Sequence, residues 1–371
     1  MTTLPGPDPD LLVGTAAGAR RSRRPRLGRR PVGRGRGNGA TAGQNVGGWL
    51  FVSPALGILM VFLVVPICLA IYVSFTDWSG VTSPFASTVH GVGFSNYASL
   101  LTQPGLSQQL FGTSLRDNLY YVLFVVPLQT ALALWLAVVV NNRFLRGRGL
   151  FRLAFYFPSV TSSVAITTVF IFLFQGSGAV NKVLRVFGIT GPNWLYDSRG
   201  IFSVALSNLG VHNPPAWSGH LFLGISLWQW LAGPSFGMCV LIILATWTTS
   251  GTFMLLFLAA LQGVSPEVEE ASEIDGASSW QRFRHVTLPM LRPALVLVLT
   301  LGFIGTWQVF DQVTLVGPYN QTTYTPAYLS YYVSFQDNQF GQGAAIAFLL
   351  FALIVIVTLI QRRLVKEDLT Q

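Results

Sequence analysis

Gly233-Pro234-Ser235-Phe236-Gly237 fits the spacing G-x-S-x-G, in which a tight strand-to-helix turn presents a serine nucleophile. Its flanks argue against that chemistry. An apolar stretch from Leu221 to Leu231 precedes it and a long apolar run follows, with no Asp and His partners in an alternating strand-and-helix layout. The segment reads more simply as a helix start, with proline early and Ser235 near the cap. The two lysines, Lys182 after Asn181 and Lys366 after Val365, leave no Gly-Lys pair for a phosphate-cradling loop, so the chain is not expected to bind ATP itself. His90, His212, His220 and His285 lack the spacing that sets two imidazoles on one helical face, and Cys68 and Cys239 each sit inside an apolar run. Neither a metal centre nor a disulfide framework is expected. No catalytic residue, metal or cofactor is assigned.

The elements that hold these residues are set by composition. Of 371 residues, 51% are hydrophobic and 10% charged, against roughly a quarter charged in soluble domains, so the chain is expected to be an all-α membrane protein. Runs long enough to span a bilayer lie near 49–75, 119–140, 153–175, 236–262, 294–313 and 343–361. The stretch Leu221–Leu231, interrupted by Gln229 and stopped by Gly233-Pro234, is short for a span and is expected to be interfacial or re-entrant. Asp311 is the one carboxylate inside these limits, Asp77 falls just past the first run, and no Lys or Arg lies within the six. An ion-coupled secondary carrier, the competing transport class, would lack its relay; energy for transport is expected from another subunit.

Nine arginines fall between Arg20 and Arg36, inside a Gly/Pro/Arg-rich stretch covering residues 1–45, expected to be a disordered tail. Gly33-Arg34-Gly35-Arg36-Gly37 alternates as RNA-binding tracts do but lacks interleaved aromatics. Beside a span, such arginines set orientation or meet anionic lipid, so membrane lipid and not nucleic acid is the expected partner. The run that follows the tail is too long for a signal-peptide core and ends in no small-residue cleavage site. With the N-terminus inside, 19 of the 23 Lys and Arg residues fall on the inner side, leaving Arg116, Lys182, Arg185 and Arg199 outside. Both termini are therefore expected to be cytoplasmic.

Between the fourth and fifth runs, Ser265 stands where it can cap a helix that has Pro266 first and Glu267, Glu269 and Glu270 at the positive end of its dipole. That helix should stop at Gly276, after which Ser278 and Gln281 form a capping-box pattern for a second short helix. Val268, Ala271, Ile274, Trp280, Phe283 and Val286 give the pair an apolar stripe that a partner surface would cover.

These residues carry a family resemblance. Glu270-Ala271, Asp275-Gly276-Ala277, Phe283, Val286, Leu288-Pro289 and Pro293 resemble the EAA loop of permease subunits in binding-protein-dependent ABC importers, with Ser272 where the family usually has a second alanine. The Asp-Gly pair followed by Trp280 and Phe283 is similar to sugar permeases of the maltose and glycerol-phosphate type. Pro66, Ser74-Phe75-Thr76-Asp77, Asn96-Tyr97, Phe151-Arg152, Asn193-Trp194-Leu195 and Gly317-Pro318 with Thr323 agree with it. The resemblance implies a type I ABC importer permease fold over 46–368, six transmembrane helices, an EAA coupling loop at 263–293 and an external insertion at about 196–233. It implies a place in the bacterial cytoplasmic membrane beside a second permease subunit, two ATP-binding subunits that bind the nucleotide, and an extracytoplasmic solute-binding protein. Glu270, Ala271, Asp275, Gly276, Ala277, Phe283, Leu288 and Pro289 are then the ATPase-coupling residues.

By the same resemblance the cargo is a sugar or oligosaccharide, with glycerol-3-phosphate or another polyol as the alternative. Neutral amides beside aromatics suit sugar hydroxyls and ring faces, and Trp307, Gln308, Phe310 and Asp311, with Gln129 in the second run, offer such a set. Each also has a packing reading: Trp307 and Phe310 as core residues, Gln129 as a helix-to-helix hydrogen bond.

Overall fold

The computed structural model describes residues 42–142, 145–211, 215–317 and 323–368. The arginines from Arg20 to Arg36, Arg143, His212 and Pro318 lie outside the described residues. In the first of two compact units, Met1–Val61, the described helix is α1 (Ala42–Leu59), exposed on every side from residue 47 onward.

The second unit, Phe62–Gln371, contains α2 (Val65–Ser74), α3 (Ser95–Leu101), α4 (Leu106–Asn141), α5 (Arg148–Val160), α6 (Ser163–Phe174), α7 (Ala179–Val186) and α8 (Ile201–Asn208). A short hairpin of β1 (Leu221–Phe222) and β2 (Ile225–Ser226) leads to α9 (Leu227–Leu231), α10 (Phe236–Leu261), α11 (Pro266–Ile274), α12 (Ser279–Arg282) and α13 (Leu288–Met290). The chain continues through α14 (Arg292–Trp307), α15 (Asp311–Val316), α16 (Pro326–Phe335) and α17 (Phe340–Asp368). Six helical segments are long and apolar enough to cross a bilayer: Gly47–Ser74, Leu106–Asn141, Ser163–Val186, Phe236–Leu261, Arg292–Val316 and Phe340–Arg363. Helices are the form open to such runs, because lipid offers backbone N–H and C=O groups no partner outside the segment itself.

α10 packs along α4 and is crossed by α5, while α14 lies against both α4 and α17. Val125, Ala133, Ala137 and Val140 of α4 and Met238, Leu241, Leu244, Met254 and Phe257 of α10 are fully buried in this seam. Asn96 ties α3 to the end of α2 by donating to the Ser74 and Thr76 carbonyls, both at 2.9 Å. The Tyr97 hydroxyl donates to Ser74 Oγ at 2.8 Å, so the two polar landmarks that flank the first span in sequence form one knot.

Three spans differ from their sequence limits. The second is not confined to 119–140 but begins at Leu106, and its added turns bury Arg116 and Asp117, paired at 2.6 Å. Thus Asp311 is not the one carboxylate inside a span, nor are the spans free of arginine. The two opposite charges neutralise each other, which lets the helix run on through a segment that hydropathy treats as polar. The third run, 153–175, is broken: α5 ends at Val160, Thr161 and Ser162 are extended (ψ 146 and 127), and α6 starts at Ser163. Pro158 lies in the last turn of α5 and removes a donor there. The fifth run is broken as well, between the end of α14 at Trp307 and the start of α15 at Asp311.

The segment expected as an insertion, about 196–233, folds as α8, the hairpin and α9 against the early turns of α4. Leu223 and Gly224 make the hairpin turn with φ of 48 and 75, the left-handed pair that suits a two-residue connection. Tyr120 of α4 donates to the Trp230 carbonyl at 2.6 Å, and Arg116 reaches the Gln229 carbonyl at 3.4 Å. Outside the spans, hydrogen bonds from Arg199 hold the Asp197 carboxyl below the usual carboxylate range. Leu221–Leu231 is therefore a hairpin and a single short helix.

Candidate functional site

The loop between α10 and α14 folds as the local sequence requires. Pro266 opens α11. Ser265 occupies the cap position but makes no capping bond to the backbone; its hydroxyl lies 3.4 Å from Glu267 Oε2 instead, and the expectation of a side-chain cap is corrected to that extent. The far end closes with Gly276 N–H on the Glu273 carbonyl and Ala277 N–H on the Ser272 carbonyl, both 3.1 Å. This paired closure needs a left-handed residue between its two bonds, and Gly276 supplies φ +79. Ser278 then caps α12 reciprocally: Gln281 N–H donates to Ser278 Oγ at 3.3 Å and Ser278 N–H to Gln281 Oε1 at 2.8 Å.

An ion pair from Arg282 to Glu273 at 3.0 Å straps α12 to α11, worth about 0–1 kcal/mol at such an exposed position. Trp280 and Phe283 stack with centroids 5.7 Å apart. Val268, Ile274 and Trp280 are 42%, 86% and 67% exposed on a knob that stands beyond the apolar limits of both flanking spans. Such an apolar surface is of the kind that a partner covers. Glu270, Ala271, Asp275 and Gly276 lie on the exposed part; Ala277, Phe283, Leu288 and Pro289 are half-buried toward its base. At that base Leu291 is fully buried with Met254 and Phe257 of α10, which fastens the knob to α10.

The second feature arises where the third and fifth spans break. Pro158, Ser159, Thr161, Ser163, Thr248, Thr249, Thr252, Phe253 and Gln312 line a cavity of about 300 Å³. A neighbouring recess of about 230 Å³ shares Ser163 and Gln312 with it and adds Gln308, Val309, Phe310 and Asp311. Ser159 donates to the Thr248 carbonyl at 2.5 Å, and Thr248 Oγ1 to the Leu244 carbonyl at 3.0 Å; their oxygens keep lone pairs that can accept from a hydroxylated ligand. Phe310 and Phe253 provide flat apolar faces, and Phe310 is braced edge-on by Tyr331 at 5.4 Å.

The five expected cargo residues separate into two groups. Gln308, Phe310 and Asp311 line the recess. Gln129 and Trp307 do not line either cavity, and they are 1% and 4% exposed. Gln129 accepts from Thr249 at 2.6 Å, so it stands behind a wall residue, and the missing side chain of Gly302 on α14 makes room for its amide. Trp307 packs with Val122, Val126, Leu350 and Ile354. Sequence reading missed Ser159, Thr161, Ser163, Thr248, Thr249, Thr252 and Gln312. Six of the seven share one signal, a cluster of Ser and Thr inside apolar runs.

Comparison with known proteins gives the family and the fold. Residues 129–367 match the protein family described as "Binding-protein-dependent transport system inner membrane component". The chain is 31% identical to the multiple sugar-binding transport system permease protein of Streptococcus mutans, over 86% of this chain and 95% of that one. It is 29% identical to the lactose transport system permease protein of Rhizobium radiobacter, over 87% and 95% of the two chains. Among solved structures, a bacterial ABC transporter involved in import of the acidic polysaccharide alginate superimposes with a TM-score of 0.65 at 18% identity, covering 88% of this chain and 96% of the other.

Proposed function

Since the chain belongs to the family of inner membrane components of binding-protein-dependent transport systems, we propose that it is the permease subunit of an ATP-driven importer that passes a neutral sugar or oligosaccharide along the broken segments of its third and fifth spans. The observation that carries the cargo class is the lining of the two recesses, where hydroxyls and amides alternate with Phe253 and Phe310 and neither Lys nor Arg contributes. A phosphate or uronate would call for cationic partners, and Asp311 adds the opposite charge, so glycerol phosphate and acidic polysaccharides fit less well than neutral sugars. The sugar cargoes named for the relatives support the same class.

In this reading the knob formed by α11 and α12 docks on a separate ATP-binding subunit, which holds the nucleotide, and the chain itself performs no catalysis. A second permease, two ATP-binding subunits and an extracytoplasmic solute-binding protein complete the assembly. Reconstituted into vesicles with those subunits, the complex should take up labelled sugar in a manner abolished by vanadate and indifferent to ionophores. Uptake that collapses with ionophores and survives vanadate would assign the chain to the ion-coupled class instead.

The same reading puts the knob and both termini in the cytoplasm and the insertion outside. Ser198, exposed in the loop that precedes α8, is the convenient reporter, because a β-carbon at the buried Gly200 would run into the Ala232 carbonyl. A Ser198→Cys variant on a Cys68→Ser, Cys239→Ser background should react in whole cells with a membrane-impermeant maleimide. Labelling confined to inside-out vesicles would reverse the orientation.

A further inference from the structure

We propose that Asn118 and Thr325 are positioning residues that hold the fifth span broken between Trp307 and Asp311; the inference rests on the recess at that break being the cargo site. In an unbroken helix the Trp307 carbonyl would accept from the Asp311 N–H and the Val309 carbonyl from the Val313 N–H. Here side chains from other elements take both carbonyls. Asn118 Nδ2 of α4 donates to Trp307 O at 3.1 Å, and Thr325 Oγ1 donates to Val309 O at 3.0 Å.

The environment of each donor argues that this bond is its purpose. Asn118 is fully buried, and its Oδ1 has no partner among the described residues. A leucine there would avoid the orphan acceptor, so the amide is accounted for by the one bond it makes. Thr325 is fully buried too. Its hydroxyl also receives the Tyr328 N–H at 3.4 Å, capping α16, and thereby couples the break to the helix that carries Tyr331. The upstream side of the break is thus fastened to α4 and the downstream side to α16. Lipid supplies no alternative donor for either carbonyl. With a donor removed, the freed carbonyl is satisfied by closing the helix, which turns Gln308 and Asp311 away from the recess they line.

The test reads the break without cargo. On a Cys68→Ser, Cys239→Ser background in the assembled transporter, Gln308→Cys is labelled with a water-borne maleimide and compared with Ser198→Cys, at an exposed position. Asn118→Leu and Thr325→Val should each slow labelling at position 308 by roughly tenfold or more relative to position 198, the shift expected when the broken form loses its dominance. Thr325→Ser, which keeps the hydroxyl, should restore the rate. With Gln308 intact, the half-saturation concentration for sugar should rise in the same two variants more than the maximal rate falls. Unchanged labelling in Thr325→Val, or equal slowing in Thr325→Ser, overturns the proposal, and the Thr325 pair decides alone if Asn118→Leu fails to assemble. Slowed labelling together with sugar kinetics indifferent to Gln308→Ala would uphold the latch and reject the cargo site.

Discussion

Gly276→Val is expected to abolish sugar uptake and to release the ATP-binding subunit from the purified complex, while the variant still inserts at close to the normal level. No atom lies within 4 Å of where a β-carbon would stand at Gly276, so crowding is not the cause. The cause is the backbone, held at φ +79, where an L-residue costs roughly 1–2 kcal/mol and a β-branched one more. Opening the closure between α11 and α12 would relieve that strain and separate Ile274 from Trp280, the two most exposed apolar side chains of the knob. Gly276→Asn, whose side chain tolerates the left-handed region, should retain most uptake, with Gly276→Ala between the two. Glu270→Lys should impair coupling by a different route, placing positive charge near the positive end of the α11 dipole. Full uptake by Gly276→Val would show that this loop is not the contact surface.

The knob was legible in the sequence because each of its parts is decided locally. Ser278 and Gln281 three residues apart cap α12, Gly276 closes α11, and Pro266 opens it, all as the spacing requires. Ser265 shows the limit of local rules: its position is right, but its hydroxyl is turned to Glu267. The six apolar runs were legible for the same reason, since each carries its own hydrophobic signal. What hydropathy could not register was the interior of those runs. It treats Arg116 and Asp117 as two charges to be kept outside, whereas side by side they form one neutral pair that a helix can bury. It also reads straight through Thr161-Ser162 and Gln308-Val309-Phe310, because nothing in those residues forbids a helix. The fifth span breaks there through bonds to Asn118 and Thr325, which are distant in sequence and invisible to any window.

The same distinction decides the outcome at the neighbouring pair Trp307 and Gln308, which sequence reading placed in one site. Gln308 is exposed on the recess and Trp307 is buried among Val122, Val126, Leu350 and Ile354, so their alanine variants should fail differently. Trp307→Ala removes core packing, a loss of about 3–5 kcal/mol, and should lower the amount of assembled transporter with little change in the half-saturation concentration of what remains. Gln308→Ala should assemble normally but leave a sugar hydroxyl in the recess without its partner. An unpaired polar group of that kind costs about 1–3 kcal/mol, so half-saturation should rise roughly five- to 150-fold. ATPase activity stimulated by the loaded binding protein should change less, because the knob and its fastening at Leu291 are untouched. Asp311→Asn keeps an acceptor and adds a donor, so a neutral sugar should still be carried. Unchanged uptake kinetics in Gln308→Ala would remove the fifth-span break from the cargo path and leave the hydroxyl-lined cavity at the third-span break, around Ser159, Ser163 and Thr248, as the place to look for it.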